Sequence, residues 1–379
     1  MIVIEHGPEG QPALFETPSQ ILVAWQPQDV RPVLARAERA RREGAWIAGY
    51  LAYEAGHVFE ERLHSSLKAD GSAPLVVLGC YDAPASADVV LQHAAETAAA
   101  ARLAPLRPVV DRAAYDHAFA RLQDYIAAGD CYQINLTFPL ATALVSGTRL
   151  GLYGALRARQ SVGFGAFIDV GTGPAIISRS PELFFHVTGG IIESRPMKGT
   201  APRSPDPVRD AALLQELLDS EKSQAENLMI VDLLRNDIAR ISEVGSVHVP
   251  ELFAIDSFAT VHQMSSRIQG RLRDGADLPG LMAALFPCGS ITGAPKIRAM
   301  QIIAELEPHP RGVYCGAIGW AAPSGDQCWS VGIRTLRMSP DDQILANVGG
   351  GVVQDSTATG EWEEALWKAR YMQALINPD

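Results

Sequence analysis

The chain has 379 residues, 47% hydrophobic and 20% charged, a balance that allows a large packed core and excludes an intrinsically disordered polymer. Its net charge of −11 argues against a nucleic-acid surface, which needs a basic face. The five cysteines are odd in number, scattered and without a Cys-x-x-Cys pair, so neither a disulfide framework nor a zinc site is expected. The start, Met1-Ile2-Val3-Ile4-Glu5-His6, lacks the features of a signal peptide, and no run of about 18 apolar residues occurs. A cytoplasmic protein away from the membrane is expected.

In chain order, residues 33–43 read as a charged helix, and 44–53 as a strand whose glycines mark close backbone approach. Another strand is expected at 75–80. The alanine- and proline-rich stretch 82–108 predicts a connector, helical in its middle. It divides the chain into an N-terminal subdomain, 1–105, and a larger domain, 106–379. Asp111 is a capping candidate for a helix carrying Phe119, Leu122 and Ile126 and stopped by Gly129. From Cys131 to Phe138 the pattern alternates, with Gln133, Asn135 and Thr137 on one face. That polar face lines a cavity or meets water, and both readings are open.

Closely spaced strands at 163–169, 175–178, 183–187 and 190–193 suggest antiparallel sheet. A helical region over 208–241 is too densely apolar for a surface helix, which predicts Glu226 and Asp232 near the core. Further strands at 261–272, 313–322, 328–338 and 343–353 alternate with helices from 278, 295 and 360.

Chemistry concentrates in a few places. Arg195-Pro196-Met197-Lys198-Gly199-Thr200 puts a lysine in a turn, sixteen residues after Glu182 (198 − 182 = 16). A solvated turn lysine and an amine made neutral by burial or a nearby cation are both open readings. Glu361, Glu364 and Lys368, three and four apart, share one helix face beside an apolar stripe. The two glutamates with Glu226 form an all-oxygen ligand set suited to magnesium; alternatively Glu364 and Lys368 are a surface ion pair. Ser290-Ile291-Thr292-Gly293-Ala294-Pro295-Lys296 leads into a helix and predicts an anion pocket there. Gly349-Gly350-Gly351 offers bare backbone, and Arg334 a guanidinium that can clamp a carboxylate. None of these glycine motifs matches a nucleotide fingerprint.

Together, Ala225-Glu226-Asn227-Leu228-Met229-Ile230-Val231-Asp232-Leu233, Arg235-Asn236-Asp237, the Ser290–Lys296 stretch, the triple glycine and Glu361-Trp362-Glu363-Glu364 resemble the chorismate-utilising enzymes. The resemblance is strong over residues 112–376 and looser before. It implies an α+β fold in which two packed, mostly antiparallel sheets carry helices outside and the active site between them. It also implies magnesium on Glu226, Glu361 and Glu364. The implied chorismate site holds His262, Thr292, Gly293, Ala294, Tyr314, Arg334, Gly349, Gly350, Gly351 and Lys368. Water-adding members place a lysine where this chain has Gln133, and anthranilate synthases usually have alanine where it has Lys198. Lys198-Gly199-Thr200 with Tyr132-Gln133-Ile134-Asn135-Leu136-Thr137 resembles the aminodeoxychorismate synthase branch. There Lys198 attacks C2, Glu182 is the general acid, and ammonia adds at C4. The end at Asp379 implies ammonia from solution or from a separate glutamine amidotransferase subunit. An anthranilate synthase and a catalytically silent amidotransferase partner are the alternatives. The chain departs from the family pattern at Met197, where isoleucine is usual, and at Cys288, where glycine is usual.

Overall fold

The computed structural model describes residues 1–68, 71–258 and 261–376. Side-chain alternation along the strands determines its layers. In Ile2–Ile4 the two isoleucines face one way and Val3 the other; in Trp46–Leu51, Trp46, Ala48 and Tyr50 lie opposite Ile47 and Leu51. Both faces are apolar, so each sheet must be covered on both sides. Ile2, Ile4, Phe15 and Ile176 of one sheet pack with Ala48, Tyr50, Val77 and Trp320 of the other. The rings of Phe15 and Tyr81 stand 5.3 Å apart across this layer. The opposite faces lie under helices, among them Pro27–Arg42, which buries Val30, Val33, Leu34 and Ala37.

Among the described residues the first sheet has eleven strands. Its main path is Gly293–Ala294, Gln133–Ser146, Gln343–Val352, Thr335–Met338, Ala175–Ser180, Phe164–Ile168, Ile2–Ile4, Ala13–Phe15 and Ala85–Ser86. The second has ten, running Met197–Pro202, Val261–Arg271, Ile191–Ser194, Leu183–Thr188, Gln327–Val331, Ala317–Ala321, Trp46–Leu51, Val76–Tyr81 and Gln20–Ala24, with His248–Ser257 beside Val261–Arg271. The pairings are antiparallel, for example Gln343 opposite Ala143 through Val352 opposite Ile134. This is the expected α+β double sheet with helices outside. Residues 1–105 supply three main-path strands to each sheet, so both sheets continue across that boundary.

Local signals account for several helices. Asp111 accepts the Ala114 N–H at 2.7 Å and caps Arg112–Ala127. The region 208–241 is two helices, Pro207–Leu218 and Glu221–Ala239, the second capped by Ser220 through the Ser223 N–H at 3.2 Å. In the second helix Asp232 is exposed and bonds Arg235 at 2.8 Å, correcting its expected place near the core. The buried carboxylate there is Asp237, paired with Lys296. No helix among the described residues is long and apolar enough to cross a membrane.

Candidate active site

Two of the crossings between the sheets lie side by side. Ala175–Ser180 in the first sheet passes through Pro181 and Glu182 to Leu183–Thr188 in the second. Gln327–Val331 in the second returns through residues 332–334 to Thr335–Met338 in the first. The Val331 N–H donates to the Glu182 carbonyl at 3.1 Å, and the Arg179 N–H to the Arg334 carbonyl at 3.0 Å. Arg334, expected within a strand, therefore sits in a crossing, with φ at 50°. No hydrogen bond or ion pair among the described residues holds its guanidinium. Burial lowers its pKa, while Tyr371 and Glu182 favour its charge.

Glu182 is buried, and its Oε1 accepts the Ser290 hydroxyl at 2.6 Å. Burial raises its carboxyl above the ordinary value, opposed by that hydrogen bond and by the charges of Lys198 and Arg334. Lys198 lies on the edge strand Met197–Pro202, at a shift of register between Met197 and Thr200. Such an irregularity re-aims a side chain out of the ladder. Gly199 beside it has φ of 80°, and a Cβ there would meet the Ser223 side chain at 2.9 Å, so the position requires glycine. Burial lowers the Lys198 amine, opposed by the charges of Glu182 and Glu226 and assisted by Lys368. Among the described residues, no hydrogen bond or ion pair ties its amine down. A raised acid beside a lowered amine favours the neutral form of each, the state in which one can give a proton and the other attack.

A second cluster faces this pair. Helix Ala358–Trp367 lies against Gln343–Val352, held by Trp362 stacking on Phe138 at 4.4 Å. The helix sets Glu361, Glu364 and Lys368 over Gly350. A Cβ on Gly350 would stand 2.8 Å from Glu361 Oε2, 3.4 Å from Lys368 Nζ and 3.6 Å from Glu364 Oε1. Lys368 bonds Glu364 at 2.8 Å and the Gly349 carbonyl at 2.9 Å. Ser356 donates to Glu361 at 2.6 Å. Burial raises the Glu361 carboxyl, and the nearby charge of Glu364 adds to the rise. Two crowded carboxylates under mutual repulsion suit a hard divalent cation, which would relieve it. Glu226 stands apart, nearer Lys198, and no three acidic, histidine or cysteine side chains among the described residues are grouped as a metal site.

The remaining expected residues divide. Thr292 is buried, with its carbonyl accepting the Asn135 N–H at 2.9 Å, and Gly293–Ala294 extends the first sheet beside Gln133 and Ile134. Gly351 abuts Gln133, whose Nε2 lies 2.1 Å from the place of a Cβ. Gln133, Asn135 and Thr137 are all buried, which settles the polar face as interior. Tyr314 is buried near Arg311 and Tyr371. His262 is buried with both ring nitrogens engaged, Nδ1 with Ser257 at 2.8 Å and Nε2 with Asp210 at 3.1 Å. Lys296 turns to Asp237 and the Leu285 carbonyl, and so leaves the anion pocket expected at its helix. Ser290, which touches Glu182, was legible only as one member of the motif that contains it.

The sequence profile of the chorismate binding enzymes matches residues 4–374. Aminodeoxychorismate synthase component 1 of Klebsiella aerogenes is 39% identical over 340 residues, 84% of this chain and 74% of that protein. The Escherichia coli (strain K12) protein of the same name is 44% identical over 257 residues, 68% of this chain and 56% of its own length. Anthranilate synthase component 1 of Streptomyces coelicolor is 40% identical over 257 residues, 68% of this chain and 50% of that one. Among solved structures, anthranilate synthase component I from Streptococcus pneumoniae TIGR4 superposes with a TM-score of 0.80 at 26% identity, covering 95% of this chain and 91% of that one. With a profile match along nearly its whole length and a double sheet shared with these enzymes, the chain belongs to the chorismate binding enzyme family.

Proposed function

We propose that the chain is the aminating component of aminodeoxychorismate synthesis, converting chorismate and ammonia to 4-amino-4-deoxychorismate on the route to 4-aminobenzoate. The observation that carries this reading is the pairing of Lys198, depressed by burial, with Glu182, raised by burial. The neutral Lys198 amine attacks C2 of the ring, and Glu182 gives its proton to the 4-hydroxyl as the C4–O bond breaks, releasing water. Ammonia then forms a bond to C4 as the C2–N bond to Lys198 breaks, which regenerates the amine, and the new ammonium returns a proton to the Glu182 carboxylate. The enolpyruvyl group is retained. Arg334, with no hydrogen bond or ion pair on its guanidinium among the described residues, supplies that group for a substrate carboxylate. Glu361 and Glu364 would hold magnesium, and the bound cation would supply charge for the ring carboxylate. The name of the relatives, component 1, supports a second subunit, and we assign it as a glutamine amidotransferase that delivers ammonia.

The kinship with anthranilate synthases supports a second reading, in which pyruvate is eliminated. Mixing the protein with chorismate, magnesium and an ammonium salt and weighing the product separates the two. A product that keeps the enolpyruvyl group and gains an amino group supports the proposal. Anthranilate with pyruvate overturns it in favour of the second reading.

A further inference from the structure

Beside Glu182 lies a short line of two buried groups, Ser290 and Cys288, the second at a position where this chain departs from its family pattern. Ser290 donates its hydroxyl proton to Glu182 Oε1 at 2.6 Å. The Cys288 Sγ lies 3.2 Å from the same Ser290 oxygen. All three side chains are buried. A serine hydroxyl has one proton. With that proton on the bond to Glu182, the contact with Cys288 requires the thiol to donate. Burial keeps it able to do so, since the Cys288 thiol is pushed up to about 12 and stays S–H throughout the working range.

We propose that Cys288 is a positioning residue for the general acid: its S–H fixes the Ser290 hydroxyl toward Glu182 Oε1, so that the proton to be donated resides on Oε2. The proposal deepens the reading of Glu182 as the acid and rests on it. A glycine at 288 leaves the serine hydroxyl free to rotate, so in this chain the cysteine adds an orientation that a bare backbone does not supply. The other groups acting on Glu182 are Lys198 and Arg334, which favour its charge, with the thiols of Cys288 and Cys315 close enough to interact with it. None of these others contacts the Ser290 hydroxyl, so its direction depends on Cys288.

The test is a titration of the protonated Glu182 carbonyl by infrared difference spectroscopy, the band being identified by its loss in Glu182→Gln, together with the pH profile of kcat/KM. Ser290→Ala removes a bond that favours the carboxylate, and its midpoint moves up. Cys288→Ala moves the midpoint in the same direction by less, displaces the corresponding limb of the rate profile, and lowers kcat/KM by roughly threefold to tenfold. Cys288→Ser, which keeps a donor in place, retains the wild-type midpoint. An unmoved midpoint in Cys288→Ala overturns the proposal. A shift reproduced in full by Cys288→Ser also overturns it, because packing alone would then be responsible. The infrared titration needs no turnover, so a different reaction on chorismate would be recognised separately from a failure of the positioning role.

Discussion

Glu54 and Arg311 lie 257 positions apart, and the carboxylate of the first accepts the backbone N–H of the second at 2.6 Å. The other Glu54 oxygen accepts the Gly312 N–H at 3.0 Å, so one side chain ties the short helical segment after the strand Trp46–Leu51 to the loop that precedes Tyr314. Burial nevertheless pushes Glu54 up to about 7, and burial lowers neighbouring His57 to about 4. The two act on stability with opposite sign. Glu54 titrates higher in the folded state, so its contribution is whole below about 4.5 and is lost as pH rises to about 7. His57 titrates lower in the folded state, so its contribution is whole above about 6.5 and is lost as pH falls toward about 4. Relative to wild type, Glu54→Gln should gain stability as pH rises and His57→Gln should lose it, each by roughly 1–3 kcal/mol across the window. Urea unfolding at pH 4.5, 5.5, 6.5 and 7.5 reads both slopes (pH values are about those of the two shifts).

Removing the proposed nucleophile should separate chemistry from metal binding. Lys198→Ala is expected to lower amination on the order of 10²–10⁴-fold or to change the product, with the magnesium titration unaltered. Wild-type rates with an unchanged product would remove Lys198 from the mechanism.

The glycines at 349 and 350 should fail in different ways. A Cβ at Gly349 meets the Leu136 carbonyl oxygen at 2.3 Å, and the backbone there cannot yield, so Gly349→Ala should destabilise by about 2 kcal/mol or more. At Gly350 the obstacle is the tip of Glu361 at 2.8 Å. Gly350→Ala should cost about 1 kcal/mol or less and instead raise the magnesium concentration needed for half-maximal rate. A Gly350→Ala enzyme with a normal magnesium titration would detach the Glu361 and Glu364 cluster from metal binding.

Arg311 and Glu307 are a buried ion pair with contacts at 2.7 and 2.8 Å. Glu307 also accepts the Thr137 N–H at 2.8 Å, and Arg311 donates to the Asn135 and Ile291 carbonyls. Glu307→Gln leaves a buried guanidinium without its counter-charge and should lower stability by about 3–5 kcal/mol, measured by urea unfolding. A loss below about 1 kcal/mol would mean that the carbonyls alone satisfy Arg311.

Local chemistry made much of this readable in the sequence. The Asp111 cap, the Gly129 stop and the face shared by Glu361, Glu364 and Lys368 depend on residues a few positions apart, and the structure has each of them. The stretch 328–338, which reads as one strand in the sequence, is two, because an apolar run has the same period on either side of a crossing. Its division at Arg334 is decided by partners elsewhere: Leu183–Thr188 for the first half, Ala175–Ser180 and Gln343–Val352 for the second. Asp232 and Asp237 sit five positions apart on one helix, and only the placement of Lys296, 59 residues away from Asp237, shows which is buried. The break at Ser220 had a legible signal, a serine at an N-cap, that the apolar density around it concealed.

The pairing of Gln133–Ser146 with Gln343–Val352 has a consequence for synthesis of the chain. An emerging polypeptide completes the first strand some two hundred residues before its main partner exists. Until then the strand presents an open ladder and an apolar face, and Trp362, which stacks on Phe138, arrives later still. Neither crossing can be fixed until both sheets have strands to receive it, so Glu182 and Arg334 should acquire their positions late in folding. Truncation from the C-terminal side should therefore yield insoluble protein well before it reaches Lys198 and Glu182.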